Sequence, residues 1–185
     1  MAQNDVIAAV LEDHADIRSM MDDVSGANGE ERGEAFRRLV AKLAVHETAE
    51  EEVVHPLAKD VVGSKEVVEQ RLDEESKGKA ALAELEQMGV NAPEFPAKFA
   101  AVRDEVLAHA EHEEREELPE LDRGVDQDKL ERAASMFRMA QRMAPTHAHK
   151  HSPESATGNL LLGPFVAVAD RTRDAIRSAM GGSHN

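Results

Sequence analysis

The sequence predicts an all-α protein built around a helical bundle, and three observations carry that prediction. Apolar side chains recur with the 3.6-residue period over several long stretches. Aromatic residues make up only 3% of the 185 residues, with no Trp and no Tyr. The core must therefore be Leu, Val, Ala, Met and Phe, which suits helix packing better than a sheet. Finally, one motif at helical spacing occurs twice: residues 46–56 read HETAEEEVVHP and residues 109–119 read HAEHEEREELP. In each copy a His is followed four residues later by a Glu, a second Glu adjoins it, and a Pro stands ten residues after the His.

The first predicted helix covers 3–24. Its stripe is Ile7, Val10, Ile17, Met21 and Val24, with His14 on it. Residues 25–30 (SGANGE) form a turn with two glycines. The second helix covers 31–55, with Phe36, Leu39, Leu43, Val53 and Leu57 inward and His46 and Glu50 on the same stripe. The third covers 64–88, with Ser64 as N-cap and the stripe Val68, Leu72, Leu82 and Leu85 carrying Glu75. Gly89 and Pro93 end it. The fourth covers 94–117, where Phe95, Phe99, Val102 and Val106 lead into His109 and Glu113. A fifth helix is expected over 126–143, with Leu130, Ala134, Phe137 and Met143 on one side. Residues 144–159 (APTHAHKHSPESATGN) read as a linker. A short helix over 164–180, with Phe165, Val168, Ala169, Ile176 and Met180 apolar, is expected to dock on the bundle, and the last residues to fray. The expected division is 1–122 for the bundle and 123–185 for a C-terminal extension.

Residues four apart on a helix share a face, so each His-x-x-x-Glu pair stacks one imidazole on one carboxylate. Two such helices facing each other can hold two metal ions with shared carboxylates. The repeat is wider than the motif. His14 lies 32 residues before His46, and Glu75 lies 34 residues before His109. The ligand set read from the stripes is His14, His46, Glu50, Glu75, His109 and Glu113. A polar residue buried on an apolar stripe costs a few kcal/mol unless paired or ligated. Six of them converging are best explained by a metal. Mixed imidazole and carboxylate suits iron, manganese or zinc. His112 borders the inner face, and His55, five residues past Glu50 near the helix end, could reach the site from above or sit on its rim; both are secondary candidates. Glu51, Glu52, Glu114, Glu116 and Glu117 read as solvated acidic faces. His147, His149 and His151 alternate in the linker and could take up zinc or nickel adventitiously.

Composition excludes several classes. The net charge of −15 opposes binding to nucleic-acid phosphates or an anionic membrane surface. The absence of Cys removes disulfides, thiolate metal sites and Cys-based catalysis. No N-terminal stretch reads as a signal peptide, and the longest apolar run, 160–169, is too short to span a bilayer. A cytoplasmic location is the expectation.

A lone His, then His-x-x-x-Glu, then a lone ligand, then His-x-x-x-Glu resembles the hemerythrin HHE family over residues 3–120. The tail GNLLLGPFVAVADRTRDAIR resembles the C-terminal extension of its actinobacterial, mycobacterial-type members. The resemblance implies an up-down-up-down four-helix bundle around a non-haem di-iron centre, oxo- or hydroxo-bridged. In it Glu50 and Glu113 would bridge and His14, His46 and His109 would be terminal ligands. Oxygen-carrying members place two His four residues apart on the third helix. Here Glu75 stands there, with Arg71 and Lys79 at the four-residue spacings. A site richer in oxygen ligands favours ferric iron and points to redox chemistry with peroxide, oxygen or nitric oxide. Members of this kind are associated with catalase-like peroxide decomposition, which would make Glu50, Glu113 and Glu75 the catalytic carboxylates. The iron–sulfur repair branch carries paired Cys that this chain lacks.

The expected activity is therefore disproportionation of hydrogen peroxide. The alternatives are a non-enzymatic module that binds oxygen or nitric oxide or stores iron, and a metal-free helical protein.

Overall fold

A computed structural model describes residues 5–61, 65–142 and 163–181, with side chains of the last segment placed for 168–180. All regular structure in it is helical. The segments are α1 (Val6–Gly26), α2 (Gly29–Ala49), α3 (His55–Lys59), α4 (Lys65–Met88), α5 (Phe95–His112), α6 (Leu118–Gly124), α7 (Gln127–Arg142) and α8 (Gly163–Gly181). A π turn over Glu50–Val54 joins α2 to α3, and a second over Glu113–Glu117 joins α5 to α6.

The two π turns explain the repeated prolines. A proline has no N–H, and its ring crowds the carbonyl four residues back. Just ahead of Pro56 and Pro119 the bonding shifts by one residue. The His55 N–H reaches the Glu50 carbonyl and the Leu118 N–H reaches the Glu113 carbonyl. The helices predicted to stop at 55 and 117 thus run on to Lys59 and Gly124. Each π turn starts at a Glu of the His-x-x-x-Glu pair, and such turns gather at functional sites.

Asp5 caps α1 by accepting from the Ala8 N–H at 3.0 Å. Ala27 and Asn28 join α1 to α2, a connection short enough to force antiparallel neighbours. Gly89 ends α4 at φ +76°, with its N–H on the Leu85 carbonyl at 3.1 Å. Ser64, the expected N-cap of α4, lies outside the described residues, as do Met143 and His147, His149 and His151.

Contacts run α1 to α2, α3 to α4, α4 to α5 and α5 to α1, closing an up-down-up-down four-rod bundle. α7 lies against α1 and α2, and α8 against α2 and α7. One core cluster joins them, including Val10, Leu39, Leu43, Val68, Val106, Leu130 and Ile176. In α8, Val168, Ala169 and Ile176 are buried as expected, whereas Met180 is 40% exposed. Arg173 and Arg177 tie α8 to Glu52 of the first π turn at 3.0 and 3.1 Å.

One end of the bundle is closed by Phe36, Phe95 and Phe99. Phe36 meets Phe95 edge-on at 5.3 Å and Phe99 at 6.2 Å, and Phe95 stacks on Phe99 at 5.7 Å. Phe36 precedes His46, and Phe99 precedes His109, by ten residues each. That spacing puts the aromatic plug about 15 Å along the axis from the imidazoles.

Candidate metal centre

The stripes of four rods converge at mid-bundle. His14 comes from α1, His46 from α2, Glu75 from α4 and His109 from α5, while Glu50 and Glu113 open the two π turns. All six are buried, His109 the least at 8% exposure. They form two groups able to hold a cation: His14, His46, Glu50 and Glu113, and then Glu50, Glu75, His109 and Glu113. In each group the ligand atoms lie within 4.8 Å of one another, and Glu50 and Glu113 belong to both. Glu113 divides its oxygens: Oε2 is 3.2 Å from His14 Nε2, and Oε1 is 3.4 Å from His109 Nε2. Glu50 Oε2 is 3.2 Å from His46 Nε2, and its Oε1 is 4.0 Å from His14 Nε2.

Each imidazole is aimed by a carboxylate on its far nitrogen. His14 Nδ1 bonds Glu114 at 2.9 Å, His46 Nδ1 faces Asp13 at 3.3 Å, and His109 Nδ1 bonds Glu74 at 3.1 Å. This leaves the three Nε2 atoms pointing at the centre, the arrangement of carboxylate–histidine–metal sites. His14 Nε2, His109 Nε2, Glu50 Oε2 and Glu113 Oε2 are buried without a hydrogen-bond partner. Unsatisfied polar atoms of this kind are costly, and one cation in each group would satisfy all four. The residues fit a metal pair.

The electrostatics agree. Burial lowers the His14 and His46 pKa values, which keeps both imidazoles in the neutral, ligating form. Burial, reinforced by Glu113, pushes Glu50 well above the usual carboxylate range, and burial raises Glu113 as well. Glu47 is also pushed well up, by burial and then by Glu75. These carboxylates crowd together with too little positive charge among them.

His55 contributes in a way its position in the sequence concealed. Burial alone would lower its pKa, but hydrogen bonds to Glu117 and Glu75 override that and raise it to about 10. Its Nδ1 lies 2.8 Å from Glu117 Oε1 and its Nε2 2.7 Å from Glu75 Oε1. With Glu113 and Glu117 it forms a third group able to hold a cation. Five residues past Glu50 on an α-helix would put it about 140° around. The π turn absorbs one residue and returns it to about 40°. His112 stays on the rim, 41% exposed, with Nδ1 3.2 Å from Glu74.

The expectation of solvated acidic faces holds only for Glu116: Glu51, Glu52 and Glu114 are half-buried and Glu117 is buried. Glu117 is 1% exposed and pairs with His55, and Glu114 bonds the His14 imidazole. Glu117 follows Glu113 by four residues, so the ligand stripe already pointed at it; the run of charges around it argued for solvent instead. Glu51 is held by Lys79 at 2.5 Å, and Lys79 also reaches Glu47 and Glu75. Glu116 is half exposed and faces Arg71, a fully buried guanidinium that also meets Glu74. The three aiming carboxylates were missed too. Asp13 adjoins His14, Glu74 adjoins Glu75 and Glu114 adjoins Glu113. The acidic neighbour of one ligand turns to serve an imidazole on another rod.

The hemerythrin HHE cation-binding domain family matches residues 5–121. The chain belongs to this family. An uncharacterised hemerythrin-like protein of Schizosaccharomyces pombe is 26% identical over 169 residues, covering 90% of this chain and 83% of that one. A Nostoc protein named as a DNA nickase is 25% identical over 130 residues, 70% of this chain but only 37% of its own length. The crystal structure of a hemerythrin HHE cation-binding domain-containing protein from Mycobacterium kansasii shares the fold. It has a TM-score of 0.66 at 20% identity, covering 75% of this chain and 86% of that chain. Membership makes the bundle a cation-binding domain of a family whose typical metal is iron. Among the described residues no helix is long and apolar enough to cross a membrane.

Proposed function

We propose that this HHE protein holds an oxo- or hydroxo-bridged pair of non-haem irons and disproportionates hydrogen peroxide. The observation that carries the reading is the pair of four-residue groups sharing Glu50 and Glu113. His14 and His46 would serve one ion, Glu75 and His109 the other, with Glu50 and Glu113 common to both. A bound iron pair supplies a two-electron reservoir, so that one peroxide is reduced to two waters and a second is oxidised to oxygen.

The surrounding residues set the conditions. His55 and Lys79 hold the two oxygens of Glu75 at 2.7 and 3.3 Å. Burial would raise the Glu75 pKa, but His55 and Lys79 bring it below the ordinary value, so Glu75 is anionic. The second group then has three carboxylates and one imidazole. Anionic oxygen ligands favour ferric iron, which supports redox turnover over reversible oxygen carriage. Phe137 lies edge-on to His46 at 6.1 Å and shields the first group from water. No action on nucleic acid is proposed, since a net charge of −15 repels phosphates.

The test is metal analysis and an optical spectrum of the purified protein, with oxygen evolution measured on added peroxide. The expected result is two irons per chain, a near-ultraviolet charge-transfer band and catalytic oxygen release. Manganese or zinc in place of iron would change the assigned metal. Two irons without turnover would assign the chain to oxygen or nitric oxide binding, or to iron storage. One ion or none after iron-replete expression would end the dinuclear reading.

A further inference from the structure

The centre is closed on most sides. Phe137 covers the His46 side, the Phe36, Phe95 and Phe99 plug closes one end, and the fully buried His55 and Leu121 close the other. Among the described residues a cleft of about 240 Å³ opens between α4 and α5, and its inner wall includes Glu75 and His109. That volume is below the ~300 Å³ of a small organic-ligand pocket. It suits a hydrated ion rather than a cofactor.

Two features mark this cleft as built. Gly78 lines it from the middle of α4, and a Cβ added there would meet nothing within 4 Å. Glycine inside a helix costs about 1 kcal/mol against alanine, yet the residue stands where a side chain would reach into the opening. At the inner end His109 is more than nine-tenths buried, and its Nε2 has no hydrogen-bond partner. Glu74 and Glu105 line the cleft, and Lys77 is the one lysine or arginine among the described residues that line it. An acidic cleft concentrates cations and turns anions away.

The geometry points to this cleft as the port through which divalent metal ions reach the centre, kept open by Gly78 and steered by its acidic rim. The inference rests on the metal-centre reading and adds the route. A bulky side chain at position 78 narrows the port at a residue that is not itself in either cation group. Charge changes at Glu105 and Lys77, both exposed, alter the field at the mouth.

The experiment is stopped-flow uptake of cobalt(II) by the metal-free full chain, followed by its absorption bands, with final stoichiometry and circular dichroism recorded for each variant. Gly78→Leu is expected to load several-fold more slowly to the same final stoichiometry, while Gly78→Ala loads at the wild-type rate. Glu105→Lys should slow uptake and Lys77→Glu should speed it, both effects shrinking with salt. If Gly78→Leu fails to fold, the two charge variants decide. Uptake unchanged in Gly78→Leu and Glu105→Lys, with wild type still filling both positions, would overturn the port and leave the centre intact. Slowing in Gly78→Ala equal to that in Gly78→Leu would also overturn it, because helix stiffness would then be the cause. A wild-type chain that takes up no cobalt removes the centre, and the port falls with it.

Discussion

Glu113 sends one oxygen toward His14 and the other toward His109, so its loss affects both positions at once. Glu50→Ala and Glu113→Ala are each expected to lose both ions. Glu52→Ala breaks only ion pairs to Arg173 and Arg177, which are worth about 1 kcal/mol or less, and should keep full metal content. Metal analysis of the three purified variants checks this, and equal loss in all three would mean the wrong carboxylates were chosen. His55 makes a second residue-level prediction. Removing it leaves Glu75 and Glu117 buried with one fewer cation between them. Breaking a buried pair in this way costs about 3 kcal/mol or more. His55→Leu should therefore destabilise the metal-free chain strongly in urea unfolding. His55→Leu with Glu117→Leu should recover most of the loss, because Glu75 keeps Lys79. No recovery in the double variant would show that His55 acts through packing rather than charge.

At the scale of elements, the second and fourth rods are near copies. Each carries Phe, then His ten residues on, then Glu, a π turn and Pro. The Phe pair meets at one level and the ligands at another, so plug and centre are separate layers of one core. Phe36→Ala should cost about 3–5 kcal/mol of stability through the cavity it leaves. Because the plug lies about 15 Å from the imidazoles, the folded variant should still bind two ions per chain. Unfolding curves together with metal stoichiometry test the layering; loss of metal from a folded Phe36→Ala protein would contradict it. α7 and α8 add a third layer, with Phe137 of α7 on His46 and Arg173 of α8 on Glu52.

At the scale of the molecule, a strongly acidic chain buries a crowd of carboxylates, and the cation is what makes that tolerable. Glu47, Glu50 and Glu113 are raised by burial, so the metal-free fold holds protons that the unfolded chain releases. An acid with a raised folded pKa contributes stability that is lost as pH rises through that value. His14 and His46 are lowered and oppose folding only as pH falls through and below the ordinary His range. Above about pH 6.5 the carboxylates dominate. A divalent ion displaces their protons. The increase in melting temperature on adding cobalt(II) should therefore grow as pH rises above the ordinary carboxylate range. Calorimetric titration should show proton release on binding. A pH-independent increment with no proton release would contradict the charge crowding.

The sequence by itself determined the helical class, the four-rod pattern and the six candidate positions that the structure brings together. Each of these follows from local periodicity: a residue's face on a helix depends only on its spacing from its neighbours. His14, His46 and Glu50 could be placed on stripes because α-helical spacing holds from one to the next. That logic breaks where the spacing changes. His55 lay one residue off the stripe until the π turn, imposed by Pro56, rotated it inward between Glu75 and Glu117. Asp13, Glu74 and Glu114 were invisible as aiming groups for a different reason. Each serves an imidazole on another rod, and which rods adjoin is decided by packing. Nothing in the sequence singled out Gly78, and only the position of α5 opposite shows what its missing side chain leaves open. Tertiary structure decided the partners across rods, because those contacts join residues far apart in the chain, beyond the reach of local periodicity.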